Sequence, residues 1–342
     1  MKKTVKIGLT LLCVLIVVAA ALGIYAYRVA NTSFAIDKEI SIQIDGTKDY
    51  DKLLADLKEK VKVESVDNFD LVAGLMQYKD NLRTGNYVIK PDMNIVDVIR
   101  NLRSGAQTPV RITFNNIRTK DDLCERLAEQ LMITADDLKR KLNDEDFCES
   151  LGFTTQTIVA MFIPNTYEFY WDISLDKFLS RMNKEYVKFW NDDRKSKAAA
   201  IDLTPVEVST LAAIVEEECT YSDEYPIVAG LYLNRLNKGQ KLQADPTVKF
   251  ALGDFSLKRI LYAHLEVDSP YNTYKYEGLP PGPIRVPSIK GIDGVLNYAK
   301  HDYLYMCAKE NFSGYHNFAK TLAQHNINAA KYRAELNRRG IR

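Results

Sequence analysis

The chain has 342 residues, and its 46 Lys and Arg residues nearly balance its 45 Asp and Glu residues. This balance argues against nucleic acid as the main partner, because nucleic-acid binding usually requires a strong basic excess. The length predicts two or three domains. Five Cys and four His residues occur without a C-x-x-C or H-E-x-x-H spacing, so we expect no disulfide framework, no metal and no other cofactor.

The first segment combines a basic N-terminus with a long apolar run. Lys2, Lys3 and Lys6 precede an uncharged stretch at 7–27, which as a helix would be about 30 Å long and could cross a bilayer once. Residues 1–28 are therefore predicted to form a cytoplasmic N-terminus and a retained anchor, with the rest of the chain exported. The alternatives are a signal peptide cleaved after "AAALG" and, less well supported because bulky residues precede it, lipidation at Cys13.

The next segment, 36–106, alternates between strand and helix patterns. "EISIQID" predicts a strand, "DYDKLLADLKEKV" and "VDNFDLVAGLMQY" predict two helices, "NLRTGNYVIK" predicts a second strand, and "MNIVDVIRNLRSG" predicts a helix that stops at Gly105. This order describes a small α/β module. It could be a spacer or a carbohydrate-binding module.

A third segment, 109–200, opens with the strand pattern "VRITF". Two short helices follow, starting at Thr119 and Thr134, each with acidic residues in its first turn. An aromatic-rich loop, "IPNTYEFY", leads into a long amphipathic helix, and the charged stretch "NDDRKSK" reads as a solvated boundary. The remainder, 201–342, is predicted to begin with a helix near residue 204.

Three consecutive carboxylates interrupt that apolar helix, in "STLAAIVEEECTYSDEYPIVAGLYLNRL". At about 100° per residue, Glu218 falls within the apolar stripe of Leu211 and Val215. Glu216 lies on the flank of the stripe, and Glu217 points to the opposite side, where we expect it to be solvated. A carboxyl group in an apolar setting tends to keep its proton, as a general acid must. Periodicity therefore selects Glu218 as the carboxyl that faces the interior or a cleft.

Two interpretations of Glu218 remain open at this point. It could form a buried structural ion pair with Arg235 or Lys249, or it could belong to a cleft formed with downstream segments. "LQADPTVKFALG", "SPYNTYKYEGLPPGPI" and "YHNFAKTLAQHN" supply amides, tyrosines, a repeated His-Asn pair and a rigid Pro/Gly-rich loop. Aromatic faces and amides are typical of carbohydrate sites. Together with Glu218, these segments favour a carbohydrate cleft.

The same segments carry a family resemblance. "AAIVEEECTYSDEYPIVAGLYLNRLNKGQKLQADPTV", "YNTYKYEGLPPGPI", "YHNFAKTLAQHN", "IPNTYEFY" and "LRTGNYVIKPDMNIVDVIRNLRSG" resemble the endolytic murein transglycosylases of the MltG (YceG-like) family. The resemblance runs over essentially the whole chain. It implies an α+β fold with one N-terminal transmembrane helix, a LysM-like α/β subdomain at 36–106, a connecting α/β subdomain at 109–200 and a mixed α+β catalytic domain at 201–342.

The resemblance also implies the chemistry and the site. Glu218 matches the family's catalytic glutamate, which would cleave the bond between N-acetylmuramic acid (MurNAc) and N-acetylglucosamine (GlcNAc) in peptidoglycan. The product would be a 1,6-anhydro end, made without water. Expected substrate-binding residues are Glu216, in a supporting role, and Gln243, Asp245, Asn272 and Tyr274.

The resemblance implies a place and partners as well. The protein is expected in the bacterial cytoplasmic membrane as a single-pass protein, with its catalytic domain outside the cytoplasm. Peptidoglycan strands are the expected partners, together with wall-synthesising penicillin-binding proteins, beside which family members are thought to end new strands.

This sequence departs from the family pattern at three positions. Glu217 replaces a usual Lys, Cys219 replaces a Thr, and Asn165 stands where Asp is more common. The extra negative charge of Glu217 would raise the pKa of Glu218 further. Two other functions stay open, a lysozyme-type muramidase with a second carboxylate and a non-catalytic glycan-binding scaffold.

Overall fold

The computed structural model describes residues 2–257 and 259–340, with side chains from residue 6 onward. The described chain forms two compact units. The first comprises the chain up to Ile112 together with 130–132 and 168–173, and the second comprises the rest. Helices, joined to three small two-stranded sheets, confirm the expected α+β fold.

The first unit begins with the long helix α1 (Lys2–Ala30). The most apolar 18-residue stretch of its segment Lys6–Ala30 has a mean hydropathy of 2.9 and is not covered by other parts of the chain, whereas Val29 near the helix end is buried in the core of the unit. By length and composition this helix could cross a membrane once, as predicted.

The rest of the first unit follows the predicted order of strand, two helices, strand and helix. These elements are β1 (Ile40–Ile44), α2 (Tyr50–Lys60), α3 (Val63–Leu75), β2 (Gly85–Ile89) and α4 (Ile95–Ser104). Strands β1 and β2 are antiparallel, with Ile42 opposite Tyr87. The Asn94 side chain caps α4, and Gly105 ends it with a φ of 75°, the left-handed conformation that glycine adopts at low cost. The unit has its own buried core, which includes Phe34, Phe69 and Leu57.

The segment between the two predicted modules contains more helices than the sequence patterns indicated. Its elements are β3 (Val110–Thr113), α5 (Lys120–Ala128), α6 (Ala135–Leu142), α7 (Glu145–Ser150), β4 (Thr166–Phe169), α8 (Leu175–Phe189) and α9 (Asp192–Ala199). Strands β3 and β4 pair, and Thr119 and Thr134 cap α5 and α6 as predicted. The charged stretch "NDDRKSK" is mostly exposed, as predicted, but it forms the helix α9: Asn191 accepts a hydrogen bond from the Arg194 backbone N–H, and acidic residues fill the first turn.

The C-terminal part of the second unit is built around one buried helix, α10 (Pro205–Glu218). The other elements are α11 (Tyr225–Asn237), α12 (Asp245–Leu252), α13 (Ile289–Leu296), β5 (Tyr305–Ala308), β6 (His316–Ala319) and α14 (Leu322–Arg338). Helices α11 and α13 pack on α10. Every residue from Val208 to Glu216 is buried, so α10 is covered around its whole circumference and not along one stripe.

Candidate active site

The candidate site lies where the buried helix α10 ends. A capping box between Thr204 and Glu207 starts this helix, and Pro205 occupies its first position, where the missing N–H costs nothing. At the other end, Cys219 takes an extended backbone conformation and stops the helix. The three glutamates therefore occupy the last turn, where the negative end of the helix dipole disfavours a carboxylate. The negative charge of each glutamate must therefore be compensated by a neighbouring group, or the carboxyl group must stay protonated.

Glu216 is held inside the protein and has a structural environment. It is 7% exposed, and its Oε1 accepts hydrogen bonds from the backbone N–H of Ser288 (2.7 Å) and the Ser288 hydroxyl (2.6 Å). The Arg285 Nε lies 3.6 Å from its Oε2. Burial raises the pKa of Glu216, while Ser288 and Arg285 oppose the shift. Glu216 thus links the end of α10 to the start of α13. It does not line the cleft, although the sequence predicted it among the substrate-binding residues.

Glu217 is paired and not simply solvated, which corrects the expectation. Its carboxylate lies 2.7 Å from Nη1 of Arg285 and 3.4 Å from Nη2 of Arg118. Periodicity placed Glu217 opposite the apolar stripe, but the loops around α10 bring two guanidinium groups to that side. Its negative charge is therefore largely balanced by arginine.

Glu218 differs from both neighbours because its hydrogen-bond partner is neutral. The hydroxyl of Tyr232, on α11, donates to its Oε1 at 3.1 Å. Burial, with the nearby negative charge of Asp245, raises the pKa of Glu218 to about 7. Among the described residues, no salt bridge joins Glu218 to Arg235 or Lys249, so the ion-pair alternative has no support. The side chain is half-buried and lines a cleft.

This cleft has a volume of about 340 Å³, within the range of ligand pockets. Its walls come from the end of α10, from α11, from the loop before α12 and from β5, β6 and α14. The lining residues are Glu218, Leu231, Tyr232, Arg235, Leu242, Gln243, Asp245, Tyr274, Leu304, Tyr305, Met306, Cys307, Ala308, His316 and His325. Most of this surface is polar, as a sugar site requires.

Arg235 organises one wall of the cleft. The residue is 8% exposed, and its guanidinium donates to the carbonyls of Lys241 (2.9 and 2.7 Å) and Leu304 (2.8 Å). It also donates to Oε1 of Gln243 at 2.6 Å. Gln243, which has a φ of 52°, is thereby fixed at the cleft with its amide N–H₂ group not used in that bond. Gln243 therefore lines the cleft, and its role in binding substrate stays a prediction.

Asp245 and Tyr274 form a second polar pair beside Glu218. Asp245 is the first residue of α12, and the Tyr274 hydroxyl donates to its Oδ1 at 2.6 Å. Because the charge of Asp245 contributes to the raised pKa of Glu218, the two carboxyl groups are close enough to interact. The structure thus brings Glu218, Gln243, Asp245 and Tyr274 together, as the sequence predicted.

Asn272 does not reach the cleft, which corrects its predicted position. It is fully buried, and its Nδ2 donates to the carbonyls of Leu265 and Val267, each at 2.8 Å. Its Oδ1 accepts the backbone N–H of Tyr274 at 3.0 Å. All of its hydrogen bonds go to the backbone, so Asn272 shapes the loop that positions Tyr274.

Two histidines that the sequence analysis left without a role line the cleft. His316 begins β6, and His325 lies in the first turn of α14. His325 packs 5.5 Å from the Tyr305 ring, and burial with nearby arginines lowers its pKa. Both belong to the repeated His-Asn pair in "YHNFAKTLAQHN", a segment that the sequence predicted to form part of the cleft. No three His, Cys, Asp or Glu side chains within the described ranges form a group that could hold a metal ion.

Fold and site together define a class of protein: an α+β chain whose polar cleft holds a carboxyl group of raised pKa next to a second carboxyl group. A family model described as YceG-like matches residues 42–331. The chain therefore belongs to the YceG-like family.

Proteins of known name and structure agree with this assignment. The chain is 31% identical over 283 residues to a Bacillus subtilis protein named endolytic murein transglycosylase, covering 77% of each chain. It is 27% identical over 298 residues to a Streptococcus pneumoniae protein of the same name, and spans about half (53%) of that relative's length. A crystal structure of a YceG-like protein from Listeria monocytogenes superposes with a TM-score of 0.56 at 27% identity, covering 85% of this chain and 99% of that one.

Proposed function

We propose that this protein is a murein transglycosylase that cuts the MurNAc–GlcNAc bond within peptidoglycan strands and leaves 1,6-anhydro-MurNAc ends. The observation that carries the proposal is Glu218, a half-buried carboxyl with a pKa of about 7 in a polar cleft. Membership of the YceG-like family and the similarity to the Bacillus and Streptococcus proteins named endolytic murein transglycosylase support the same substrate and the same reaction.

In the proposed reaction, Glu218 acts first as a general acid. Its proton goes to the glycosidic oxygen as the bond from C1 of the muramic acid breaks through an oxocarbenium-like state. The hydroxyl of Tyr232 holds the carboxyl in place, and burial with the neighbouring Glu218 keeps the pKa of Tyr232 well above its ordinary value. Tyr232 therefore remains a donor throughout.

The attacking group is the muramic acid's own 6-hydroxyl, which adds to C1 and closes the anhydro ring. Because the nucleophile belongs to the substrate, one carboxyl group is sufficient: ionised Glu218 can also accept the hydroxyl proton. Gln243, Asp245 and Tyr274 line the cleft and are proposed to bind sugar hydroxyl and acetamido groups. Glu216 and Asn272 support the site from behind it.

A muramidase is the second candidate, and Asp245 is the observation that favours it. A hydrolase would use Asp245 to activate water or to form a covalent intermediate while Glu218 donates the proton. The hydrogen bond from Tyr274 to Asp245 occupies one carboxylate oxygen and leaves the other available.

The rest of the chain is proposed to keep the active site close to the peptidoglycan. Residues 1–28 would anchor the protein in the cytoplasmic membrane with the N-terminus inside. Residues 36–106 would be a LysM-like glycan-binding subdomain, 109–200 a connecting subdomain and 201–342 the catalytic domain. Such a protein would end nascent strands beside the penicillin-binding proteins that make them.

The test is mass spectrometry of products from un-crosslinked peptidoglycan strands treated with the full-length protein in detergent. We expect ends lighter by one water molecule than a reducing MurNAc end.

Glu218→Gln preserves shape but cannot donate the proton, so turnover should fall at least ~100-fold while strand binding persists. Glu277→Gln, an exposed glutamate outside the cleft, is the matched control and should cleave like the wild type.

Other products would overturn the proposal in distinguishable ways. Ordinary reducing ends would identify a muramidase and direct attention to Asp245. Strand binding without cleavage by the wild type would identify a glycan-binding scaffold.

A further inference from the structure

His316 is fixed at the cleft by a buried carboxylate from another part of the chain. Glu224, in the short 3-10 turn Ser222–Glu224 after α10, is 4% exposed. Its Oε1 accepts the backbone N–H of His316, and its Oε2 is bonded to the His316 Nδ1, each at 2.9 Å. The two hydrogen bonds that this carboxylate makes with His316, one with the backbone and one with the ring, fix both the strand and the orientation of the imidazole.

This arrangement also determines which ring nitrogen carries hydrogen. An ionised carboxylate has only acceptor positions, so the hydrogen of this bond must sit on Nδ1. A neutral imidazole then has a lone pair on Nε2. Among the residues that the structure describes, Nε2 has no hydrogen-bond partner, and Glu224 does not line the cleft whereas His316 does. The Nε2 edge of the ring is therefore the edge left for the cleft.

The hydrogen bonds between Glu224 and His316 are not needed to hold strand β6 in place. Strand β6 is already held by its antiparallel pairing with β5, in which His316 lies opposite Ala308. Burying a carboxylate at Glu224 is costly unless its oxygens are satisfied, and here both oxygens are bonded to His316. A carboxylate that orients an imidazole whose other nitrogen faces a reaction site is a recurrent arrangement for proton transfer.

We propose that His316 is a second proton-transfer residue of this site, and that its Nε2 accepts the proton of the muramic acid 6-hydroxyl as that oxygen attacks C1. This inference rests on the proposed transglycosylase function and divides the acid and base roles between two residues. Glu218 donates its proton to the leaving oxygen, the C1–O6 bond forms as the glycosidic bond breaks, and the electron pair of the broken bond stays on the leaving oxygen. The step leaves His316 protonated and Glu218 ionised, and a proton moving from His316 to Glu218 through solvent restores both.

Glu224→Gln is the sharpest test, because it changes the tautomer and preserves the shape. The Gln oxygen can still accept the backbone N–H, but its N–H₂ group now donates to Nδ1, which moves the imidazole hydrogen to Nε2 and removes the base. We expect kcat to fall about 100-fold or more with KM within about threefold. If the contact between Glu224 and His316 were only structural, the Glu224→Gln variant would keep both hydrogen bonds. The kcat of this variant would then stay near the wild-type value.

His316→Ala provides a second, independent measurement. We expect a similar loss of kcat and partial recovery on adding free imidazole, which a lost packing contact would not give. His264→Gln, which changes a histidine outside the cleft in the 3-10 turn Tyr262–Glu266, is the control that should retain activity.

The outcomes separate the two proposals. If the wild type forms anhydro ends and Glu218→Gln does not, but Glu224→Gln retains kcat within about threefold, His316 is not the base and Glu218 performs both steps. If the wild type forms no anhydro ends, the proposed function itself fails. If His316→Ala does not fold, the isosteric Glu224→Gln decides alone.

Discussion

At the residue scale, the three consecutive glutamates differ in how their negative charge would be compensated. Glu216 has Ser288 and Arg285, and Glu217 lies between two arginines. Glu218 is hydrogen-bonded to a neutral tyrosine hydroxyl, and the like charge of Asp245 outweighs the opposite charge of Lys249. Ionising Glu218 therefore destabilises the folded state.

This difference predicts how stability depends on pH. The folded-state pKa of Glu218, about 7, lies above its usual value, so the folded protein binds this proton more tightly than the unfolded chain. The contribution of Glu218 to the free energy of unfolding is complete below about pH 4.5 and is lost as the pH rises to about 7. Glu218→Gln removes this dependence. Relative to the wild type, the variant should gain about 2 kcal/mol between pH 4.5 and pH 8, after allowance for the partial exposure of Glu218.

Denaturant unfolding of both proteins at pH 4.5, 6 and 8 measures this gain. The comparison uses differences between the variant and the wild type, so titrations elsewhere in the chain cancel. A stability difference that does not change with pH would mean that Glu218 titrates normally in the folded protein.

The sequence could identify Glu218 but not every residue around it. Helical periodicity distinguishes positions along one helix, and it separated Glu218 from its neighbours before any contact was known. It could not separate Asn272 from Tyr274, because which of two loop residues so close in sequence faces a cleft depends on turns and on carbonyls several residues away. Glu224 and His316 are 92 residues apart, so no local pattern could pair them.

At the element scale, the packing of α10 against α13 depends on a close approach. Helix α13 passes so near that a Cβ atom on Gly291 would lie 1.9 Å from Oε1 of Glu216. This glycine lies inside a helix, where glycine is disfavoured relative to alanine. The close approach explains its presence, since only a residue without a side chain fits beside the buried carboxylate.

Gly291→Ala should therefore destabilise the protein although alanine is the better helix former. Alanine gains about 1 kcal/mol in helix propensity, but the clash displaces Glu216 from Ser288, and overpacking of this kind costs about 1–3 kcal/mol in addition to the lost hydrogen bonds. We expect a net loss of about 1–3 kcal/mol in the free energy of unfolding. Gly46→Ala, where nothing lies within 4 Å of the added atom, is the control. A Gly291→Ala variant as stable as this control would show that α13 can move away from α10 freely.

Element boundaries were harder to predict than element types. The five elements of the first unit follow strong period-2 and period-3.6 patterns and were predicted in the right order. Helix α9 was missed because its stability comes from capping and charge and not from an apolar face. Helix α10 was predicted to have one apolar stripe, but its polar residues Ser209 and Thr210 are buried too, since their hydroxyls donate to backbone carbonyls one turn earlier.

At the scale of the whole molecule, the proposed function requires the cleft to be held on the outer side of the membrane. Peptidoglycan lies outside the cytoplasm, and α1 is the one described helix whose length and composition suit a membrane span. Its lysines precede the apolar segment, which favours a cytoplasmic N-terminus.

Fractionation can distinguish an α1 helix that stays in the membrane as an anchor from one that is removed as a signal peptide. The full-length protein should stay in the membrane fraction after a high-salt wash, because apolar insertion is not screened by salt. Replacing Leu15 and Ile16 together by Arg should release it or prevent export, since each charge at the centre of a span costs about 2.5–3.5 kcal/mol. The matched variant with Ala at both positions keeps an uncharged span and should remain in the membrane. A mature chain whose N-terminal sequence begins after the "AAALG" segment would instead identify α1 as a cleaved signal peptide, and the cleft would then work free of the membrane.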